Sequence, residues 1–229
     1  MSGKLVFVGG DEFRADCRSM DSHLLALPQI TNVRVLIVPA AAADSRPEMA
    51  AENGVEYFHS LGAHASSAMV LQPSDAEDNA LISSVDDADI VYFTGGNPIH
   101  LLNVLDNSSF LRRLKRFLYD GGILAGSSAG AMVMGGWMKY RGWVKGLSLI
   151  EDVVILPHHE NSNPVDVSIE FSGSMPDGIV ALGIDSGTAC VIDVETSVVT
   201  HVLGQGQVLI YDRVGWNEIS VGDSLNSEL

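Results

Sequence analysis

Two short stretches of this chain bring together residue types that could do covalent chemistry. Gly126-Ser127-Ser128-Ala129-Gly130 has the G-x-S-x-G spacing of a nucleophile elbow. It follows the apolar run Ile123 to Ala125, which reads as a buried strand, and precedes Ala131 to Met134, which can start a helix. Small neighbours let the serine of such a turn take a strained conformation, its hydroxyl clear of the sheet and near the N-terminal dipole of the next helix. Ser128 is therefore the candidate nucleophile. The same composition also suits a turn that only packs closely, or one that binds a phosphate at a helix N-terminus.

A serine hydroxyl is a poor nucleophile until a base takes its proton. Among seven histidines, His158 and His159 stand out, because Pro157-His158-His159-Glu160-Asn161 follows the buried strand Val153 to Leu156. At most one of them is the base, and the other is a packing or substrate residue. His23, His59, His64 and His100 read as ordinary surface or core histidines. The backbone N–H groups of Ala129 and of Gly95-Gly96 could form an oxyanion hole, although Gly95-Gly96-Asn97-Pro98 also reads as a plain turn into a helix.

The elements that must position these residues alternate. Lys4 to Val8 reads as a first strand ending at Gly9-Gly10, followed by a helix near Phe13 to Leu27. Val33 to Pro39 is a second strand, and its near-continuous apolar run suits a parallel sheet covered on both faces. A helix is predicted over Pro47 to Leu61, a third strand over Ala68 to Leu71 and a short helix over Ala76 to Val85. Asp89 to Phe93 gives the fourth strand, and Ile99 to Leu105 with Phe110 to Tyr119 supply helical surface. This order predicts an α/β fold, a doubly wound and mainly parallel sheet with helices on both faces and ligands at the carboxyl ends of its strands. The stretch from Gly135 to Gly146 has no clear period and carries Lys139, Arg141 and Lys145, which reads as an exposed loop. From Ile179 onward the chain is β-rich, with strands over 179–182, 189–192, 198–203 and 208–211, and Asn217 to Leu229 is a polar tail expected to fray.

Composition narrows the function classes. The 229 residues, 46% apolar, are enough for one sizeable core, and one domain over 1–229 is the expectation. No run is long and apolar enough to span a membrane, and Met1-Ser2-Gly3-Lys4 lacks a signal-peptide layout, which points to a cytoplasmic protein. With 29 acidic and 13 basic residues, the formal charge of −16 disfavours a nucleic-acid partner. Cys17 and Cys190 form no C-x-x-C pair, and no Cys/His cluster has metal-ligand spacing, so neither a disulfide framework nor a metal site is expected.

Several motifs, in the same order over most of the chain, carry a family resemblance. Phe93-Thr94-Gly95-Gly96-Asn97, the elbow through Ala131, Pro157-His158, Gly183-Ile184-Asp185-Ser186-Gly187-Thr188-Ala189 and Val202-Leu203-Gly204-Gln205-Gly206-Gln207-Val208 are similar to the serine peptidase family of dipeptidase E and cyanophycinase. The resemblance implies a fold like class I glutamine amidotransferases, with serine in place of their cysteine. It further implies a hydrolase without cofactor that acts through an acyl-enzyme on small or unusual peptides. Carried over, Ser128 is the nucleophile, His158 the base, and Gly96 and Ala129 the oxyanion donors, with Gly95, Asn97 and His159 at the substrate.

Two departures from the family pattern matter. The usual acidic triad member falls at Ser186, which leaves Asp185, Glu160 or a Ser–His dyad held by Ser186 or water to orient the histidine. His159 stands where the family often has phenylalanine, and Pro164 to Asp177 offers no arginine to select a substrate aspartate. Two other readings remain open at this point. One is an α/β-hydrolase esterase using Ser128, Asp185 or Asp193, and His201; the other is a binding protein on the same scaffold. A small peptide is the expected partner of the peptidase, and a homodimer is one open assembly state.

Overall fold

The computed structural model describes residues 3–174, 178–219 and 223. The expected alternation is realised at its start by β1 (Lys4–Val8), α1 (Arg18–Ala26), β2 (Arg34–Val38) and α2 (Pro47–Ser60). Next come β3 (His64–Ser67), α3 (Asn79–Ser83), β4 (Ile90–Phe93), α4 (Pro98–Leu105), α5 (Ser109–Tyr119), β5 (Ile123–Ser127) and α6 (Ala129–Met134). The remaining elements are β6 (Trp137–Lys139), β7 (Trp143–Lys145), β8 (Val153–Pro157), α7 (Pro164–Ser174), β9 (Val180–Ile184), β10 (Thr188–Asp193), β11 (Val199–Gly204), β12 (Val208–Tyr211) and β13 (Trp216–Glu218).

These strands form two sheets. The first has seven strands in the order β11-β10-β1-β5-β4-β2-β3, and its five strands from β1 to β3 run parallel to one another. Alternation along the strands sends side chains to opposite faces. Leu5, Phe7, Leu36, Val38 and Leu124 pack with Leu101, Leu105 and Leu114 of α4 and α5. Val6, Val8, Val35, Ile37 and Ala125 pack on the other side with Met20 and Leu24 of α1 and with Tyr57 and Phe58 of α2. Helices thus cover both faces, as near-continuous apolar strands require.

The β-rich C-terminal part does not stay together. β10 and β11 extend the first sheet antiparallel from β1, whereas β9, β12 and β13 join β8, β6 and β7 in a second, six-stranded sheet. α6 packs between them, and Ala131, Val133 and Met134 share one core with Ile155, Leu182 and Ile184 of the second sheet.

Two local expectations change. The third strand is the polar segment His64–Ser67, bound to β2 at the sheet's margin, while Ala68 and Val70 are buried as loop residues in the core. Apolar content marks burial there, not a strand, and an edge strand open to water can be polar. The aperiodic stretch after α6 is a hairpin, β6 with β7, whose cross-strand pairs set Trp137 against Lys145 and Lys139 against Trp143. The Lys139 ammonium lies 4.9 Å from the Trp143 ring centre and 2.8 Å from a Glu170 carboxylate oxygen, a cation–π contact backed by an ion pair.

Candidate active site

Strand register brings the sequence motifs together at one seam. In the first sheet Val8 of β1 lies beside Ser127 of β5, so the turns after these strands are neighbours. In the second, Pro157 of β8 lies beside Ile184 of β9, which places His158 next to the 185–187 loop. That loop then crosses to β10 of the first sheet. All four chain segments emerge at carboxyl ends of strands, where open α/β sheets gather ligands.

Ser128 sits at φ 48°, ψ −109° with Ala129 opening α6 directly after it. This is a sparsely populated conformation for a residue with a side chain, as an elbow requires. The close approach of the following helix explains the flanking glycine, because a Cβ on Gly126 would strike the backbone of Gly130. The Ser128 N–H donates to the Val8 carbonyl at 3.0 Å, fixing the elbow to β1.

His158, in the left-handed region at φ 54°, reaches Ser128 Oγ through Nε2 at 3.1 Å. Its Nδ1 lies 3.0 Å from Ser186 Oγ, and Ser186 Oγ in turn donates to Glu160 Oε1 at 2.9 Å. The Ser186 N–H donates to the other carboxylate oxygen, Oε2, at 2.8 Å. These bonds fix proton positions, since a serine hydroxyl has one proton to give. With that proton on the Glu160 carboxylate, Ser186 accepts from Nδ1–H, and Nε2 is left as an acceptor facing the Ser128 hydroxyl. Burial works to raise the Glu160 pKa. The Ser186 N–H, Glu160's own N–H, the Ser186 hydroxyl and the His158 charge outweigh it and hold the carboxyl below its ordinary range.

Other expected site residues have different jobs. Asp185 does not approach the imidazole: its Oδ2 accepts from the Gln207 N–H at 2.8 Å and ties the loop to the start of β12. Glu160 touches Ser186, and reaches the histidine only through it. His159 is 4% exposed, its Nε2 2.6 Å from Tyr211 Oη and its ring edge-on to that tyrosine, so it packs within the second sheet. Desolvation lowers its pKa against the opposing pull of Asp185 and Glu160.

Asn97 caps α4 through Oδ1, which accepts from the Ile99 and His100 N–H groups, as Asn before a Pro-led helix does. The Gly95 N–H is spent on Glu12 Oε1 at 2.7 Å, which removes it as an oxyanion donor. Gly96 sits at φ 141°, a backbone conformation that favours glycine. Ala129 is the first residue of α6, so its N–H has no intrahelical acceptor. His201, in the strand β11, is bonded to the neighbouring Thr200 hydroxyl, and Asp193 accepts from the turn that follows it. Neither joins Ser128, so the esterase arrangement is not assembled.

The turn after β1 is the part that sequence reading missed. It was legible only as a tight turn, yet the Gly9 carbonyl accepts from the His158 N–H at 2.8 Å and the Gly10 carbonyl from the Gly187 N–H at 3.2 Å. The His158 ring lies directly over Gly10. Two residues on, the half-buried Glu12 accepts from Gly95 and, at 2.7 Å, from the buried Ser127 hydroxyl. The available signal was positional: this turn ends a central strand beside β5. Ser128, His158, Gly96 and Glu12 open onto a cleft of about 1000 Å³, walled also by Phe13, Arg46 and Tyr57. Among the described residues no group of three or more His, Cys, Asp or Glu side chains is placed to hold a metal ion.

A mixed α/β fold with a serine on a strained strand-to-helix turn, facing an imidazole at a sheet seam, defines a protein of the hydrolase class. The model of peptidase family S51 matches residues 5–200. The chain belongs to this family and is a peptidase, a hydrolase of peptide bonds. It is similar to the cyanophycinase of Trichormus variabilis, with 25% identity over 222 residues, 91% of this chain and 73% of that protein. The cyanophycinase of Synechococcus elongatus is 24% identical over 224 residues, 92% of this chain and 68% of that one. A crystal structure of a peptidase from an acI-B1 Actinobacterium superposes with a TM-score of 0.83 and 26% identity, covering 99% of this chain and 97% of that chain. A putative peptidase E protein from Listeria monocytogenes, at 16% identity and TM-score 0.64 over 90% of this chain and 98% of that one, shares the fold. Among the described residues no helix is long and apolar enough to cross a membrane.

Proposed function

We propose that this peptidase is of the serine type and cleaves an amide bond in a short peptide or isopeptide through an acyl-enzyme on Ser128. The observation that carries the reading is the continuous chain Ser128–His158–Ser186–Glu160. Ser128 Oγ attacks the carbonyl carbon while His158 Nε2 takes its proton. The imidazolium that forms keeps Nδ1–H on Ser186, and the Glu160 carboxylate behind that hydroxyl offsets its charge. The Gly96 and Ala129 N–H groups receive the oxyanion. His158 then gives the proton to the leaving amine, and water, activated by the same imidazole, releases the acyl group.

The chain's resemblance to the family of dipeptidase E and cyanophycinase supports a small or unusual peptide as substrate. The test is hydrolysis of a dipeptide panel, including α- and β-linked aspartyl and arginyl members, by the wild-type protein and Ser128→Ala side by side, with fluorophosphonate labelling of both. Turnover and labelling in the wild type alone are expected. An unlabelled wild-type protein, or turnover that survives in Ser128→Ala, would overturn the reading.

A further inference from the structure

Glu12 stands outside the serine–histidine chain, yet among the described residues it is the one side chain that joins both walls of the oxyanion hole. Its Oε1 accepts from the N–H of Gly95, the residue before Gly96, and its Oε2 accepts from the hydroxyl of Ser127, the residue before Ser128 and Ala129. On the far side of Gly96, the Asn97 N–H donates to the Ala41 carbonyl at 2.7 Å. The peptide carrying the Gly96 N–H is therefore held from both ends, in a backbone conformation at φ 141° where a side chain would collide with Ala41. Nothing else seen among the described side chains bridges the glycine turn to the elbow.

The charge of Glu12 makes this placement informative. A carboxylate beside a site that must stabilise a developing negative charge works against the reaction, and among the described residues no ion pair neutralises it. Both its oxygens are instead taken up by the Gly95 N–H and the Ser127 hydroxyl. A bridge of two strong acceptor bonds is what this geometry supplies, since charge-assisted bonds of this kind are shorter and stiffer than neutral ones.

We propose that Glu12 is a positioning residue that sets the spacing of the Gly96 and Ala129 N–H groups in the oxyanion hole. The proposal rests on Ser128 being the nucleophile. A glutamine at position 12 can keep both links, its carbonyl accepting from Gly95 and its amide donating to a rotated Ser127 hydroxyl. An alanine keeps neither.

The experiment follows the reaction of Ser128 with a fluorophosphonate, whose phosphonylation loads the same hole, resolved into the limiting rate and the half-saturating probe concentration. Ser128→Ala is the blank, and melting is measured on every variant. Glu12→Ala is expected to lower the limiting rate by about 10- to 100-fold, less than the roughly 10²- to 10³-fold loss on removing one oxyanion donor outright, with half-saturation within about twofold. Glu12→Gln is expected to recover at least tenfold of that loss. A wild-type limiting rate in folded Glu12→Ala would overturn the proposal. So would a Glu12→Gln protein as slow as Glu12→Ala, because the two links that glutamine can keep would then not set the rate. Should Glu12→Ala not fold, the same comparison between Glu12→Gln and Glu12→Asp decides, because the shorter acid cannot span both donors and is expected to be the slower. Failure of the underlying reading looks different: wild type would then not label at all.

Discussion

At the scale of single residues, the proposed mechanism puts a hydroxyl and a carboxylate in series, Ser186 and Glu160, where a triad has one carboxylate. Ser186→Ala should lower kcat by about 10- to 100-fold, less than the roughly 10⁴-fold cost of spoiling a directly bonded carboxylate. Because Glu160 acts through Ser186, adding Glu160→Gln to Ser186→Ala should change kcat by no more than about twofold. Losses that multiply would mean Glu160 reaches the imidazole by another route. The elbow serine and one histidine were readable because each is announced by its immediate neighbours. Ser186 and Glu160 were each legible as alternatives, but their connection in series was not, since it exists only through the register of β8 on β9. Asp21 makes a separate prediction. It is fully buried on α1, one oxygen held by Tyr57 Oη at 2.8 Å and the other without a partner, and desolvation raises its pKa to about 7. The unfolded chain deprotonates near the ordinary value of 3.8 while the folded one retains the proton, so stability falls as pH rises through this window. Asp21→Asn keeps an acceptor for Tyr57 and does not titrate. Its melting temperature relative to wild type should climb between pH 4 and pH 7; a difference independent of pH would show that Asp21 stays ionised in the fold.

At the scale of elements, the turn between β1 and α1 supports more of the site than the elbow does. Gly10 is at φ 144°, its carbonyl holds Gly187, and any Cβ there would enter the His158 ring. Gly10→Ala should therefore push the imidazole away from Ser128 and lower kcat by about 10²-fold, the scale of a 1 Å misplacement. Fluorophosphonate labelling should slow in parallel while the protein stays folded. Labelling at the wild-type rate would mean that the ring can swing aside at no cost. The same turn marks a limit of sequence reading. The strand, its end and the two glycines were legible from local pattern, and so were most helices and parallel strands. Glu12, in contrast, is joined to Gly95 and Ser127 across separations of 83 and 115 residues, with nothing near it in the chain to signal them. The polar edge strand β3 was hidden for a related reason. Its place is set by pairing to β2, whereas apolar pattern reports only burial.

At the scale of the whole molecule, the site is a seam: Ser128 and Glu12 come from the first sheet, and His158, Glu160 and Ser186 from the second sheet or its exit. The two sheets are locked by the shared core around α6. Net charge was readable from composition, but its distribution around the cleft was not, because that depends on which loops the fold gathers there. Asp11, Glu12 and Glu56 line the cleft with Arg14 and Arg46, and Arg14 is already paired with Asp11 at 3.4 Å. Local charge is thus nearly balanced, and the formal −16 of the chain dominates at a distance. Raising salt from about 10 mM to about 500 mM shrinks the screening length from about 30 Å to a few ångströms. For a cationic dipeptide substrate, kcat/KM should fall over this range, because the field that concentrates it at the cleft is removed. For an anionic dipeptide of equal length it should rise, and kcat should stay constant for both, since the contacts inside the cleft are shorter than either screening length. Equal salt slopes for the two peptides would show that the overall charge does not govern approach to the site.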